Sequence, residues 1–229
     1  MRTAFVWIGA LAFALSLTSF VIVFGYLLRV PAPATLDPVW PAIVFDVTLF
    51  TIFALHHSVM ARTGAKAWLT RIVPAELERS VYVWIASLLF LGVCWLWRPL
   101  PGMAWSIGEP WRWAMYGIPI AGLVLTERAS RFIGVWELAG VRQARRDQPV
   151  EFKVTGPFGL VRHPIYLGWV LMVFGLPDMT CSRLLFAVIS TAYLVAAIPW
   201  EEASLVEAFG DKYRAYQRQV RSRLLPGVW

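Results

Sequence analysis

The stretch that decides the fold is residues 4–28, AFVWIGALAFALSLTSFVIVFGYLL, which contains no charged side chain. A helix of about 20 apolar residues crosses the roughly 30 Å hydrocarbon core of a bilayer. A secretory leader has an apolar core of only about 7–15 residues. We therefore interpret residues 4–28 as a first transmembrane helix that is retained in the protein.

The composition extends this interpretation to the whole chain. Of its 229 residues, 59% are hydrophobic and 15% are charged, whereas an ordinary soluble domain has roughly 25% charged residues. This excludes a disordered chain and argues strongly against a soluble globular protein. The two cysteines provide neither a disulfide framework nor a zinc-binding pattern. The composition is that of a membrane protein with several spans.

Six apolar stretches predict the helices of an all-α, polytopic membrane bundle. The fourth is short, and the fifth would rise only about 20 Å as a helix, so it could be one arm of a tight hairpin. We expect five or six membrane segments, with a C-terminal helical hairpin and a cytoplasmic amphipathic helix after it. Residues 1–126 would form the N-terminal bundle and residues 127–229 a cofactor-binding region. The six stretches are 4–28, 39–55, 80–97, 113–126, 165–177 and 184–200.

The basic residues predict the orientation of these segments. Seventeen of the 21 Lys and Arg residues lie on one side of an alternating arrangement, and by the positive-inside rule that side is the cytoplasm. We expect a bacterial inner-membrane protein with both termini in the cytoplasm. The basic residues form no run with interleaved aromatics, so nucleic acid is not an expected partner. The four on the other side are Arg29, Arg98, Arg112 and Arg183.

Two polar features fall within the apolar stretches. Asp46 lies in the second stretch, where a carboxylate either serves function or, as we favour, bonds a neighbouring helix. His56 and His57 are adjacent, so on a helix they point about 100° apart, and no third ligand stands nearby in the sequence. We expect no metal site here, although one of the two could line a substrate entry.

The segment GPFGLVRHPIYLGW, residues 156–169, contains the main candidates for functional residues. Gly156-Pro157 predicts a turn, and Pro164 suits the first turn of a helix. Arg162 and His163 would then lie at the N-terminus of a helix, where free backbone N–H groups favour a hydrogen-bond acceptor such as a carboxylate. The alternative is an ordinary interfacial anchor, because Arg, His and Tyr are common at membrane edges.

Residues 201–220 predict one amphipathic helix that packs on the bundle. In this register Glu201 lies on the buried stripe and Glu202 does not, so Glu201 needs a cationic partner. Arg162 could be that partner, or a cationic group of a cofactor could be. The hairpin would bring 162–168 and 201–216 together at one membrane face. The stripe consists of Leu205, Phe209, Tyr213, Tyr216 and Val220.

Three motifs in this order resemble the isoprenylcysteine carboxyl methyltransferase family and its bacterial relatives. They are Arg162-His163-Pro164-x-Tyr166-x-Gly168, Glu201-Glu202-x-x-Leu205 and Phe209-Gly210-x-x-Tyr213-x-x-Tyr216. The N-terminal half is similar to the bacterial methanethiol S-methyltransferases and, less closely, to relatives associated with denitrification. The segments that carry this second likeness are 57–62, Glu78-Arg79-Ser80-x-Tyr82 and Trp97-Arg98-Pro99.

The resemblance implies an S-adenosylmethionine site and assigns residues to it. Segment 150–153 would contribute to the site as well. Phe158 stands where the family has Tyr, so one hydroxyl contact is lost. Ala197 stands where the family has a substrate-binding Arg, which argues against a prenylcysteine carboxylate as substrate. The implied cofactor-binding residues are Gln143, Phe158, His163, Pro164, Ile165, Tyr166, Gly168 and Glu201.

The expected function is therefore methyl transfer from S-adenosylmethionine to a small or membrane-soluble acceptor, most plausibly a thiol such as methanethiol. His163, Tyr166 and Arg162 are the expected catalytic residues, and His163 or Tyr166 could take the thiol proton. Two alternatives stay open: a denitrification-associated membrane protein of the same fold without methyl transfer, and an NADPH-dependent sterol-type reductase. Ile165 and Trp169 depart from the reductase pattern. The sequence leaves the acceptor and the oligomeric state open.

Overall fold

The computed structural model describes residues 2–34, 37–60, 62–141 and 155–229. Each of the six predicted apolar stretches lies largely within a helix. The helices are α1 (Arg2–Gly25), α2 (Trp40–Met60), α3 (Thr63–Leu69), α4 (Glu78–Leu96), α5 (Trp111–Ile133), α6 (Val135–Leu138), α7 (Pro164–Phe174), α8 (Cys181–Phe209) and α9 (Asp211–Gln219). Short 3-10 turns occur at Leu27–Arg29, Ala75–Leu77 and Gly156–Gly159, and strands β1 (Met103–Ser106) and β2 (Asp178–Thr180) pair.

The prediction of a nearly all-α membrane protein is confirmed. Within the described ranges, four helical segments are long and apolar enough to cross a bilayer: Arg2–Arg29, Trp40–Met60, Ala75–Leu96 and Cys181–Phe209. Helix α7 is apolar but has only 11 residues, which rise about 16 Å and fall short of a straight crossing. A count of five or six segments therefore remains a prediction.

The chain divides into two compact units, of which the first comprises the described residues of 1–105, 135–144 and 178–189. In this unit α1 packs against α4 through small residues and indole donors. A Cβ on Gly9 would lie 2.9 Å from the Trp84 ring, so only glycine admits the indole there. The Trp84 indole donates to the carbonyl of Phe5 at 3.0 Å, and the Trp95 indole donates to Ser19 at 3.0 Å.

Buried polar groups fasten the ends of helices in the first unit. Arg183 is buried and donates to the carbonyls of Phe24, Gly25 and Asp178 at 2.6–2.8 Å, so its charge satisfies acceptors that the end of α1 leaves open. Asp46 is fully buried, and its carboxylate accepts from the backbone N–H of Arg98 at 2.9 Å. Asp46 therefore holds the backbone that follows α4.

The second unit comprises the described residues of 106–134, 145–177 and 190–229. Its helices α5 and α7 approach closely because glycines face the contact. A Cβ on Gly168 would lie 2.1 Å from Thr126 Oγ1 and 2.7 Å from the carbonyl of Gly122. A Cβ on Gly122 would lie 2.5 Å from the carbonyl of Gly168. This close backbone contact fixes the position of α7, whose first turn carries the candidate site.

The prediction of one helix over 201–220 is wrong. Helix α8 continues to Phe209, Gly210 adopts a positive φ of 56°, and α9 begins at Asp211. Glycine reaches this region of backbone conformation without the steric cost that other residues pay. The five apolar residues of the predicted stripe nevertheless pack in one cluster across the break, with Leu205 and Phe209 of α8 against Tyr213, Tyr216 and Val220. In α9 the side chains of Tyr213 and Tyr216 are buried.

Candidate functional site

The first turn of α7 is held by the C-terminal tail. Pro164 begins the helix as predicted, and His163 directly precedes it. The backbone N–H of Arg162 donates to the carbonyl of Ser222 at 3.0 Å, and that of His163 donates to the carbonyl of Arg223 at 2.9 Å. The backbone at Arg162 and His163 is thus hydrogen-bonded to the tail, and these bonds fix the positions of the two Cα atoms.

Arg162 and Glu202 form a buried ion pair. The Arg162 Nε donates to Glu202 Oε1 at 2.6 Å, and the two side chains are 6% and 5% exposed. The Arg162 Nη1 also donates to the carbonyls of Val220 and Arg221 at 2.8 Å. Glu202 has Gln217 Nε2 at 3.3 Å and Arg223 Nε at 3.4 Å as further donors. Both charges are therefore compensated within the protein, as burial requires.

The expectation that Glu201 lies on the buried stripe is wrong, because Glu202 occupies that position. Glu202 is four residues after the fully buried Ile198 and four before Val206, which packs in the tyrosine cluster of α9. The buried face of α8 is therefore set by residues N-terminal to the Glu pair. The predicted stripe instead extended through Gly210, where the helix ends. The cationic partner expected for Glu201 is accordingly bound to Glu202.

Glu201 presents a carboxylate at the surface beside two aromatic rings. Its side chain is 45% exposed, and it accepts a hydrogen bond from the Tyr166 hydroxyl at 2.7 Å. The rings of His163 and Tyr166 stack with centroids 5.3 Å apart and an interplanar angle of 19°. The His163 Nδ1 lies 3.6 Å from Glu201, and its Nε2 lies 3.4 Å from Glu202. Three predicted site residues therefore meet: His163, Tyr166 and Glu201.

Two buried tyrosines of α9 connect this helix to the turn that precedes α7. The Tyr216 hydroxyl donates to the carbonyl of Phe158 at 2.8 Å, and its ring meets that of Tyr213 edge-on at 5.7 Å. Burial raises the pKa of Tyr216 to about 12, so the hydroxyl stays neutral and serves as a donor. The turn Gly156–Gly159 is thus anchored through the backbone of Phe158, a contact that the phenylalanine side chain does not affect.

Comparison with known proteins shows the family to which the chain belongs. The chain is 38% identical over 230 residues to methanethiol S-methyltransferase of Mycobacterium tuberculosis, which covers 95% of this chain and 94% of that protein. It is 35% identical over 234 residues to the methanethiol S-methyltransferase of Crocosphaera subtropica, at 96% and 91% coverage. The chain belongs to the methanethiol S-methyltransferase family. This confirms the resemblance found in the sequence and the assignment to methyltransferases.

A more distant similarity is also present. Nurim of Sus scrofa is 27% identical over 198 residues, which cover 80% of this chain and 73% of that protein. No family model matches the chain, and no solved structure matches it. The membership therefore rests on the full-length similarity to the bacterial methyltransferases. The described residues contain four long apolar helices, as expected of an integral membrane protein.

The other residues that the family resemblance singled out lie in different surroundings. Pro164 is fully buried and Ile165 is half-buried at the start of α7. Gly168 faces α5, and this close helix contact accounts for the glycine without a ligand. Gln143 and segment 150–153 lie outside the described residues. Their assignment to the cofactor site remains a prediction.

Two of the N-terminal segments typical of the family meet in the first unit. The Tyr82 hydroxyl of α4 lies 2.8 Å from His57 Nδ1 of α2, and the His56 ring stacks on Tyr82 at 5.9 Å and 14°. The guanidinium of Arg79 lies 5.2 Å from the centroid of the Tyr82 ring. Within the described part of the chain, no group of three or more His, Cys, Asp or Glu side chains could hold a metal ion.

Sequence reasoning missed Glu202 and two residues beside its carboxylate, Gln217 of α9 and Arg223 of the tail. The signal for Glu202 was its spacing of four residues from Ile198. If the buried face had been traced from the apolar N-terminal part of α8, Glu202 would have fallen on it. No comparable signal marks the tail. Its contacts with Arg162 and His163 run from backbone to backbone or end on carbonyl oxygens, which every residue type provides.

Proposed function

We propose that this protein transfers the methyl group of S-adenosylmethionine to methanethiol at the membrane. Two independent considerations support the proposal: its full-length relatives are named for methyl transfer to methanethiol, and its site presents the partly exposed carboxylate of Glu201 beside stacked aromatic rings. The observation that carries it is the contrast within the Glu pair. Glu202 is bound to Arg162, whereas Glu201 is 45% exposed.

The residues present suit the chemistry of S-adenosylmethionine. The molecule carries a sulfonium and an ammonium cation as well as ribose hydroxyls, and all of these groups favour a carboxylate such as that of Glu201. The stacked faces of His163 and Tyr166 favour an aromatic base or a cation. Glu202 is bound to Arg162 and lies 3.4 Å from Arg223, so the partly exposed carboxylate of Glu201 is the one placed to meet a cationic ligand. We assign Glu201, His163 and Tyr166 to the cofactor site.

The bound cofactor would supply a methyl group activated on a sulfonium. The methyl carbon leaves that sulfur and bonds to the sulfur of the thiol, which gives dimethyl sulfide, and the thiol proton must leave. A thiolate is the competent nucleophile, and a free thiol has a pKa of about 8.5. His163 is the proposed proton acceptor: the unprotonated nitrogen of the neutral ring would take the thiol proton, and the resulting imidazolium would have a carboxylate oxygen within 3.6 Å of each nitrogen. Tyr166 orients Glu201 through its hydroxyl.

For Arg162 we propose a positioning role in place of the catalytic role expected from the sequence. Its side chain is buried and donates to the Glu202 carboxylate and to the backbone carbonyls of Val220 and Arg221. It therefore fixes α8 and the tail against the start of α7. Gln143, Phe158, Pro164, Ile165 and Gly168 complete the proposed cofactor region, the last of them through the position of α7.

The proposed location is the bacterial inner membrane with both termini in the cytoplasm. The asymmetry of basic residues supports it, because 17 of 21 lie on the side that holds residues 127–164 and the tail. Helices α5 and α7 would add to the four long apolar helices and give five or six membrane segments. The cofactor region would then face the compartment in which S-adenosylmethionine is made.

The function is tested with purified full-length protein, methyl-labelled S-adenosylmethionine and methanethiol. Labelled dimethyl sulfide in the headspace is the expected product. Hydrogen sulfide and longer thiols serve as competing acceptors. Binding of NADPH in place of S-adenosylmethionine, or absence of product from every thiol, would overturn the proposal.

A further inference from the structure

A groove in the second unit lies apart from the Arg162–Glu202 pair. It runs between α5, the turn Gly156–Gly159 and α7, and it has a volume of about 690 Å³, within the range of about 300–1,000 Å³ typical of ligand sites. His163, Glu201 and Glu202 do not line it, although Leu167 of its lining donates its backbone N–H to the carbonyl of His163 at 3.0 Å. Most of its lining is apolar: Ala121, Val124, Leu125, Leu160, Leu167 and Leu171.

The groove changes from apolar to cationic along α5. Ala121, Val124, Arg128 and Arg131 all line it, and their spacing of three and four residues places them on one helical face. Arg131 forms an ion pair with Glu127, whose carboxylate is half exposed. The two guanidinium groups and this one carboxylate leave a net positive charge at the end of the groove. Its other end, at Ala121, lies about 15 Å away along the helix.

This length corresponds to one leaflet of a bilayer. The hydrocarbon core is about 30 Å thick, so one leaflet contributes about 15 Å. A molecule that fits must be apolar over that distance and anionic at its end. Basic pockets between membrane helices on the cytoplasmic side bind anionic lipid headgroups, and the charge asymmetry of this chain places residues 127–164 on that side.

We propose that the groove binds one anionic phospholipid, with an acyl chain along α5 and the phosphate between Arg128 and Arg131. The turn Gly156–Gly159 lies against Phe132 of α5, because a Cβ on Gly156 would lie 2.6 Å from Phe132 Cζ, and the positive φ of 65° at Gly156 favours glycine there. Val124, Phe132 and Leu160 are roughly half exposed, which leaves apolar surface for the chain to cover.

The test measures lipid binding by native mass spectrometry on the purified full chain in a non-ionic detergent. Phosphatidylglycerol and phosphatidylcholine with the same acyl chains are titrated separately. We expect phosphatidylglycerol to bind at a concentration at least tenfold lower. The double variant Arg128→Gln/Arg131→Gln should lose this preference. Val124→Trp, which fills the apolar part and keeps both charges, should weaken binding of both lipids.

Arg218→Gln is the matched control, because Arg218 is an exposed arginine on α9 outside the groove. A loss of phosphatidylglycerol binding equal to that of the double variant would mean general surface attraction and would overturn the proposal. Equal binding of the two lipids would overturn it as well. Glycerol phosphate is the last arm: binding as tight as that of the lipid would identify a phosphate site and exclude a groove for an acyl chain. These outcomes do not depend on methyl transfer.

Discussion

The guanidinium of Arg162 and the carboxylate of Glu202 lie 2.6 Å apart in the interior of the protein and tie the start of α7 to α8. The neighbouring Glu201 points to the surface and is held by Tyr166. One position along the helix thus separates a carboxylate with a structural partner from one that is open to a ligand. Substitution of Glu202 should therefore lower the stability of the protein, whereas substitution of Glu201 should lower its affinity for the cofactor.

Removal of one partner of the buried pair is expected to destabilise the fold. Glu202→Ala leaves Arg162 buried without its counter-ion, a change that costs about 3–5 kcal/mol in other proteins. The melting temperature in detergent should therefore fall by many degrees. Glu207→Ala, an exposed residue on the same helix, is the control and should melt like the parent protein. A Glu202→Ala variant with parent stability would show that the ion pair does not hold these elements together.

Loss of the Tyr166 hydroxyl is expected to weaken cofactor binding without a change in the fold. Tyr166→Phe keeps the ring that stacks on His163 and removes the donor to Glu201. A hydrogen bond of this kind is worth about 1 kcal/mol, so KM for S-adenosylmethionine should rise about fivefold while KM for methanethiol stays the same. Steady-state kinetics with each substrate varied in turn measures this. An increase confined to the thiol KM would place Tyr166 on the acceptor side.

A methyl group at Gly168 is expected to separate α5 from α7. The added Cβ would lie 2.1 Å from Thr126 Oγ1 and close to the carbonyl of Gly122, and overpacking of this kind costs about 1–3 kcal/mol. Gly117→Ala on α5 is the matched control, because nothing lies within 4 Å of its Cβ. It should stabilise the helix slightly, by up to about 1 kcal/mol. Equal melting temperatures for the two variants would contradict the close contact.

The proposed orientation has a direct test in living cells. A fluorescent protein that matures only in the cytoplasm, fused after Trp229, should fluoresce, whereas alkaline phosphatase at the same place should stay inactive. The asymmetric distribution of Lys and Arg is the physical reason. An active phosphatase fusion would place the C-terminus and the candidate site on the opposite side of the membrane.

The sequence predicted the six apolar helices well, because a long run such as 4–28 leaves the backbone no alternative in lipid. It also predicted that residues 162–168 and 201–216 meet, and Arg162 and Tyr166 do contact the Glu pair of α8. It assigned the wrong carboxylate to the buried face. The pattern from Leu205 to Val220 crosses the helix break at Gly210, and its apolar residues pack together across that break. The buried face of α8 before the break is marked by Ile198 and Glu202, which that pattern does not include.

The remaining parts of the site arise from contacts distant in sequence. Arg162 and Ser222 are joined through backbone atoms, which leave no trace in residue type. The position of Gly168 against Thr126 depends on the packing of two helices, whereas the motif alone suggested a role at the ligand. Backbone pairing and helix contact are tertiary properties, and local patterns do not report them.

The proposed cofactor site depends most directly on Glu201, and calorimetry of S-adenosylmethionine binding to Glu201→Ala tests this role. Loss of a hydrogen-bonded charged partner costs about 1.5–3 kcal/mol, or roughly ten- to a hundredfold in Kd. We predict at least that loss of affinity, with a melting temperature equal to that of the parent protein and of Glu207→Ala. An unchanged Kd for S-adenosylmethionine in a folded Glu201→Ala protein would contradict the assignment of Glu201 to the cofactor site.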